Sequence, residues 1–191
     1  MNDQLQGYID QFHEARERMR ALTGDLSDDV FNKCPPTGGW SIGEIVHHLC
    51  ILGEQLLPRI DVGIDEARSY GWHNPGPFRY PFFSRWFIRA VGPLPASKRG
   101  KMKAPGLYVP KANHAMDEIL PRFDKLQTDL IARCERADGI DIARVVIASP
   151  AAAWIRVRLG AWIEAIAAHQ LRHFAQIEET REALGTALQT E

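Results

Sequence analysis

The chain carries His169 and His173 four residues apart in its last third, and an adjacent pair, His47 and His48, in its second quarter. Histidines at i and i+4 stand one turn above each other on a helix, so both imidazoles can reach a single ion. At 100° per residue both fall on the side of Trp162, Ile166, Ile177 and Leu184, the stripe expected to face a helical core. Two neutral imidazoles in an apolar core need partners, and a shared cation satisfies both acceptor nitrogens at once. The plainer alternative is two core histidines satisfied by local polar groups. Of His47 and His48 only one can look inward. His48 lies nearer the stripe of Ile45, Leu49, Leu52 and Leu56, while His47 shares the other side with Glu44 and Glu54 and is expected to be solvated. The candidate metal ligands are therefore His48, His169 and His173. His13, His73 and His114 lie at face edges or in the connecting segment and are left out.

Three imidazoles on one side of an ion leave its other positions to water or substrate, the arrangement of a catalytic site rather than a closed structural one. Zinc or nickel is the expected ion, with iron, cobalt or manganese as alternatives, because imidazole suits several divalent metals. Coordination would make a thiol or a water nucleophilic near neutral pH.

Elements long enough to carry these rings are legible. Leu5, Tyr8, Ile9, Phe12, Ala15, Met19 and Leu22 recur at three- and four-residue steps and predict a first amphipathic helix. The run Cys34–Trp40 breaks it with two prolines and two glycines, after which Ser41 and Glu44 form a capping-box pair opening a second helix, expected to end near Pro58 or a turn later. Residues 71–112, rich in Pro and Gly, predict a long crossover with one short helix in FFSRWFIRAV. A third helix is expected from about Ala112 to Ala137. A last is expected from about Ala151 to Leu184, with Gly160 as a candidate break and Trp154 and Trp162 in its core face. No period-two strand pattern stands out. The expected architecture is an all-α four-helix bundle, with the long crossover and its short helix between the second and third helices, in a single domain over residues 1–191.

Composition agrees with one ordinary domain: 191 residues, 45% hydrophobic, net charge -1. No apolar run approaches the roughly 20 residues that span a bilayer, and the polar start lacks a secretory pattern, so the cytoplasm is the expected compartment. Cys34, Cys50 and Cys134 form no C-x-x-C pair and are expected to be reduced, with Cys50 a buried structural thiol. Charge is uneven: Ala67 to Met116 holds nine Lys or Arg and no Asp or Glu. Basic residues interleaved with prolines form no helical stripe, and no DNA-binding signature appears, so a nucleic-acid partner is not expected. The aromatic run Phe82–Ile88 reads as a lid on its own bundle or a homodimer contact in preference to a membrane-surface helix.

The segments G-W-S-I-G-E-I-V-H-H-L, Gly39 to Leu49, and H-Q-L-R-H-F-A-Q, His169 to Gln176, resemble the DinB-like superfamily. That group includes YfiT-like metal-dependent hydrolases, bacillithiol transferases and mycothiol-dependent maleylpyruvate isomerase. The resemblance implies that a Trp-Ser pair, here Trp40 and Ser41, opens the second helix. It implies that His48, eight residues after the Trp, binds metal together with His169 and His173. Arg172 and Gln176 fall where the family often has Arg and Gln, and Lys101 to Pro110 is similar to a crossover of some branches. Trp40 is expected to pack at the bundle end.

What the resemblance implies for activity is an enzyme that activates a low-molecular-weight thiol cosubstrate and transfers it to, or isomerises, a small-molecule substrate. The basic crossover would then hold carboxylates of the thiol, with Arg79, Arg85, Arg89, Lys101 and Lys103 as candidates. The alternatives are a metal-dependent hydrolase and a non-catalytic metal-binding stress or interaction protein. Helical angle turns Glu44 and Glu54 away from His48, so no catalytic base is assigned.

Overall fold

In the computed structural model, which describes residues 1–93 and 103–188, the first amphipathic stretch is α1, Asp3–Thr23. Asn2 caps it, and Leu5, Tyr8, Ile9, Phe12, Ala15 and Met19 are buried as the spacing requires. A short helix, α2 (Asp28–Asn32), tucks Phe31 beneath the start of the next. That next helix, α3, Ile42–Ser69, opens on the expected capping box: the Glu44 amide donates to Ser41 Oγ at 3.2 Å and the Ser41 amide to Glu44 Oε2 at 2.8 Å.

Pro58 does not end α3, contrary to the sequence reading. Pro58 is on the exposed side, where the carbonyl left without its amide can meet water, and Leu57, Ile60, Ile64 and Ala67 keep the inner face buried beyond it. The crossover carries α4, Phe82–Val91, and a 3-10 turn at Gly106–Tyr108. The third long helix, α5, spans Met116–Arg136 and starts later than the expected Ala112. Asn32 holds the preceding backbone, accepting from the His114 amide and donating to its carbonyl, both at 2.8 Å. Asp28 caps the Met116 amide at 2.9 Å.

The last helix, α6, is Leu159–Leu188. It begins eight residues after the expected Ala151, because residues 146–158 form a hairpin that the sequence reading missed: β1, Val146–Ala148, runs antiparallel to β2, Arg156–Arg158, with Ile147 opposite Val157. Three-residue strands are too short to show alternation. Trp154 stands at the tip of this hairpin, 82% exposed, and is not a core residue. Trp162 is buried, and its indole N–H donates to the Ile147 carbonyl. Gly160 does not break α6; it admits Tyr80 and Ile142 where a Cβ would collide.

The four long helices close a ring in the order α1, α5, α3, α6, each touching the next. Between α3 and α5 the approach is tight: a Cβ on Gly53 would lie 2.6 Å from Leu126. The short α4 lies outside the ring on α6, with Phe87 edge-on to Trp162 at 4.8 Å. No helix among the described residues is long and apolar enough to cross a membrane.

Candidate metal centre

On its second turn α3 carries His48 inward, and α6 carries His169 and His173 toward it one turn apart. His48 and His173 are buried and His169 is partly so. His48 Nε2 lies 3.1 Å from His169 Nε2, which lies 3.1 Å from His173 Nε2. All three nitrogens fall within 4.8 Å of one another.

The opposite side of each ring fixes its tautomer. His48 Nδ1 is 2.7 Å from the Tyr108 carbonyl, His169 Nδ1 is 3.1 Å from that of Val91, and His173 Nδ1 is 2.9 Å from Gln176 Oε1. These oxygens only accept, so each Nδ1 carries the proton and each Nε2 is left as a bare lone pair. Protonation does not relieve the crowding. Burial, His48 and the Arg172 charge hold His169 down at about 3, and burial with the neighbouring rings keeps His173 well below the usual histidine range. Burial likewise lowers His48. At neutral pH three acceptors thus converge with no hydrogen between them. A buried acceptor left unsatisfied costs about 1–3 kcal/mol.

This donor set fits a divalent ion. Metal–nitrogen bonds of about 2.0–2.1 Å separate ligand nitrogens by about 2.9 Å at right angles and about 3.3 Å at the tetrahedral angle, a range that brackets the 3.1 Å contacts. Each ring is oriented by a carbonyl acceptor, as metal-binding imidazoles require. Trp40 covers one flank, its ring 4.9 Å from His48 and nearly parallel to His173 at 6.3 Å. So Trp40 packs at the bundle end, as expected, and also shields the centre.

Other histidines lie elsewhere. His47 is only 7% exposed, not solvated as its helical angle implied, because the crossover lies over it: the Lys111 amide donates to its Nδ1 at 3.0 Å and the His114 ring sits 4.4 Å away. Burial, His114 and nearby cations push it down to about 4. His13 and His73 are exposed. Glu44 is engaged in the cap of α3, and Glu54 accepts hydrogen bonds from Arg122 Nε and Nη2, each at 2.6 Å. The three cysteines are free thiols, Cys34 exposed and Cys50 and Cys134 buried. Arg79, Arg85 and Arg89 line a separate cleft. Lys103 is exposed, and Lys101 lies outside the described residues. The residues that sequence reasoning missed act through backbone carbonyls, those of Tyr108 and Val91, which no side-chain motif can announce.

Four long helices around inward-facing imidazoles from α3 and α6 define a histidine-centred helical bundle. The chain belongs to the DinB superfamily, whose family model matches residues 11–177. YfiT from Bacillus subtilis, described as "a probable metal-dependent hydrolase with an unusual four-helix bundle topology", shares the fold. The two superimpose with a TM-score of 0.62 over 97% of this chain and 90% of that one, at 15% identity. A Bacillus pumilus protein named "Putative metal-dependent hydrolase" is 34% identical over 47 residues, a stretch covering 25% of this chain and 27% of the relative.

Proposed function

We propose that this protein is a divalent-metal-dependent enzyme centred on His48, His169 and His173, and that it activates a low-molecular-weight thiol for transfer to, or isomerisation of, an electrophilic small molecule. The metal reading rests on the three bare Nε2 atoms that meet within the bundle. Zinc or nickel suits an all-imidazole set. When bound, such an ion supplies the Lewis acidity that makes a thiol or a water nucleophilic near neutral pH.

The chain's own residues prepare that chemistry. The Tyr108 and Val91 carbonyls and Gln176 hold the rings in one tautomer, and Trp40 keeps water from one flank. The positive charge of Arg172 disfavours protonation of all three imidazoles and favours an anionic nucleophile beside them. A thiol is preferred to water because its pKa of about 8.5 needs only a small shift and no resident base. The carboxylates nearest His48 in sequence are engaged elsewhere, Glu44 with its helix cap and Glu54 with Arg122. Hydrolysis is the second reading, supported by the names of the two Bacillus relatives. On either reading the expected substrate is a small molecule, not a nucleic acid or a membrane.

The test is cobalt-substituted protein titrated with bacillithiol, mycothiol and glutathione, with absorption followed in the charge-transfer region and turnover assayed on electrophiles. A new band with one thiol, and turnover that requires it, is the expected result. Turnover of esters, amides or lactones without any thiol would move the assignment to hydrolase. Silence in every arm would contradict both readings.

A further inference from the structure

The stretch of chain without acidic residues places three guanidiniums around one cleft. Arg85 and Arg89 are one turn apart on the outer side of α4, and Arg79 reaches the same space from the preceding loop. The cleft has a volume of about 480 Å³, within the roughly 300–1,000 Å³ typical of small-molecule sites. Phe78 and Ile88 give it an apolar wall, and Gln4, Tyr80 and Glu164 add polar groups.

Arginines without an ion pair occur elsewhere among the described residues, Arg59, Arg156 and Arg158 for example, but only here do three of them line one concavity. Arg18, Arg20, Arg122, Arg133, Arg136 and Arg181 are each paired with a carboxylate. Among the described residues no ion pair engages Arg79, Arg85 or Arg89. The lone acid on the cleft, Glu164, accepts a hydrogen bond at 2.9 Å from the Tyr8 hydroxyl, which lies 3.2 Å from that of Tyr80. Three guanidiniums against one engaged carboxylate leave an excess of two positive charges. Self-repulsion disfavours such a cluster unless a partner offsets it, and the planar guanidinium fork matches carboxylate and phosphate oxygens.

We infer that this cleft is a binding site for a small organic dianion, a dicarboxylate or a phosphate monoester, clamped by Arg79, Arg85 and Arg89 and oriented by Tyr80 and Gln4. The two opposed charges match the excess, and a concave shape suits a small ligand better than a flat surface. None of the three histidines lines the cleft, although α4 carries both Arg89 and the Val91 carbonyl that meets His169. The inference therefore does not depend on the metal reading.

The experiment is calorimetric titration of the metal-free full chain with succinate, with inorganic phosphate and with neutral succinamide. One dianion is expected to bind saturably at one site per chain, and succinamide not at all. Tighter succinate points to a dicarboxylate as the natural ligand, and tighter phosphate to a phosphate monoester. Arg85→Gln and Arg89→Gln, both at exposed positions, should each weaken binding at least tenfold. Lys103→Gln removes the same charge outside the cleft, and His173→Ala alters only the histidine centre; neither should change it. No saturable binding of either dianion would overturn the inference, as would equal loss in Lys103→Gln. It would also fail if anionic phosphatidylglycerol vesicles bound the chain through Phe82 and Trp86 while neither dianion bound.

Discussion

His48 Nε2 lies 3.1 Å from His169 Nε2 although 121 residues separate them in sequence. The contact is between two acceptors, because each ring donates its Nδ1 proton to a carbonyl on its far side. Neutral rings gain nothing from this approach unless a cation lies between them. The bundle holds them there by fixing α3 against α6, and the crossover supplies both carbonyls. Folding and ligand orientation are thus one event: the segments that cover the core also set the tautomers.

Gln176→Leu removes the acceptor that orients His173 while leaving all three ligands in place. Losing such a partner costs roughly 10–100-fold in metal affinity. Competition against a chromophoric chelator should show that loss with the helical circular dichroism unchanged. Affinity equal to that of the parent would mean that Gln176 has no orienting role.

The metal-free protein should lose stability as pH falls below about 6.5. His169 is held at about 3, His47 at about 4, and His48 and His173 are lowered too, each mainly by burial. In the unfolded chain these rings titrate near 6.5, so below that pH the unfolded state binds more protons and is favoured. Each extra proton tilts stability by about 1.4 kcal/mol per pH unit. Urea midpoints measured from pH 8 to pH 4 should be flat at first and then fall with the uptake of more than one proton. A midpoint independent of pH over this window would contradict the burial of these rings.

Thiol reactivity should divide the cysteines. Burial pushes Cys50 and Cys134 up to about 12, and both side chains are fully enclosed. An Ellman titration of native protein should count one fast thiol, Cys34, rising to three in guanidinium. Rapid labelling of Cys50 in native protein would show that the α3 face opens.

Gly53→Ala sets two effects against each other. Alanine gains about 0.5–1 kcal/mol in helix preference, but its methyl would meet Leu126 at 2.6 Å across the α3–α5 contact. Overpacking in a closed core costs about 1–3 kcal/mol, so the net change should be destabilising, with Tm lower by several degrees. A raised Tm would mean that Leu126 yields readily.

Much of this was legible in the sequence, and its failures have physical causes. Helical angle alone chose His48 over its neighbour and placed His169 and His173 inside, since a regular helix fixes direction from position. The same rule misjudged His47, because angle describes one helix and cannot foresee a crossover laid over its outer face. Pro58 looked like a stop, yet a proline on the solvent side with buried residues continuing beyond it is tolerated. The hairpin escaped because its strands are three residues long, and Trp154 went with it. The carbonyls of Tyr108 and Val91 carry no residue signature and become visible only when the chain is folded.

The most direct measurement of the histidine centre is metal content by elemental analysis after loading and desalting, run in parallel on the parent protein and on His48→Ala. One divalent ion per parent chain, and less than a tenth of that in the variant with its fold intact by circular dichroism, is the expected result. Equal metal in the two proteins, or none in the parent, would contradict it.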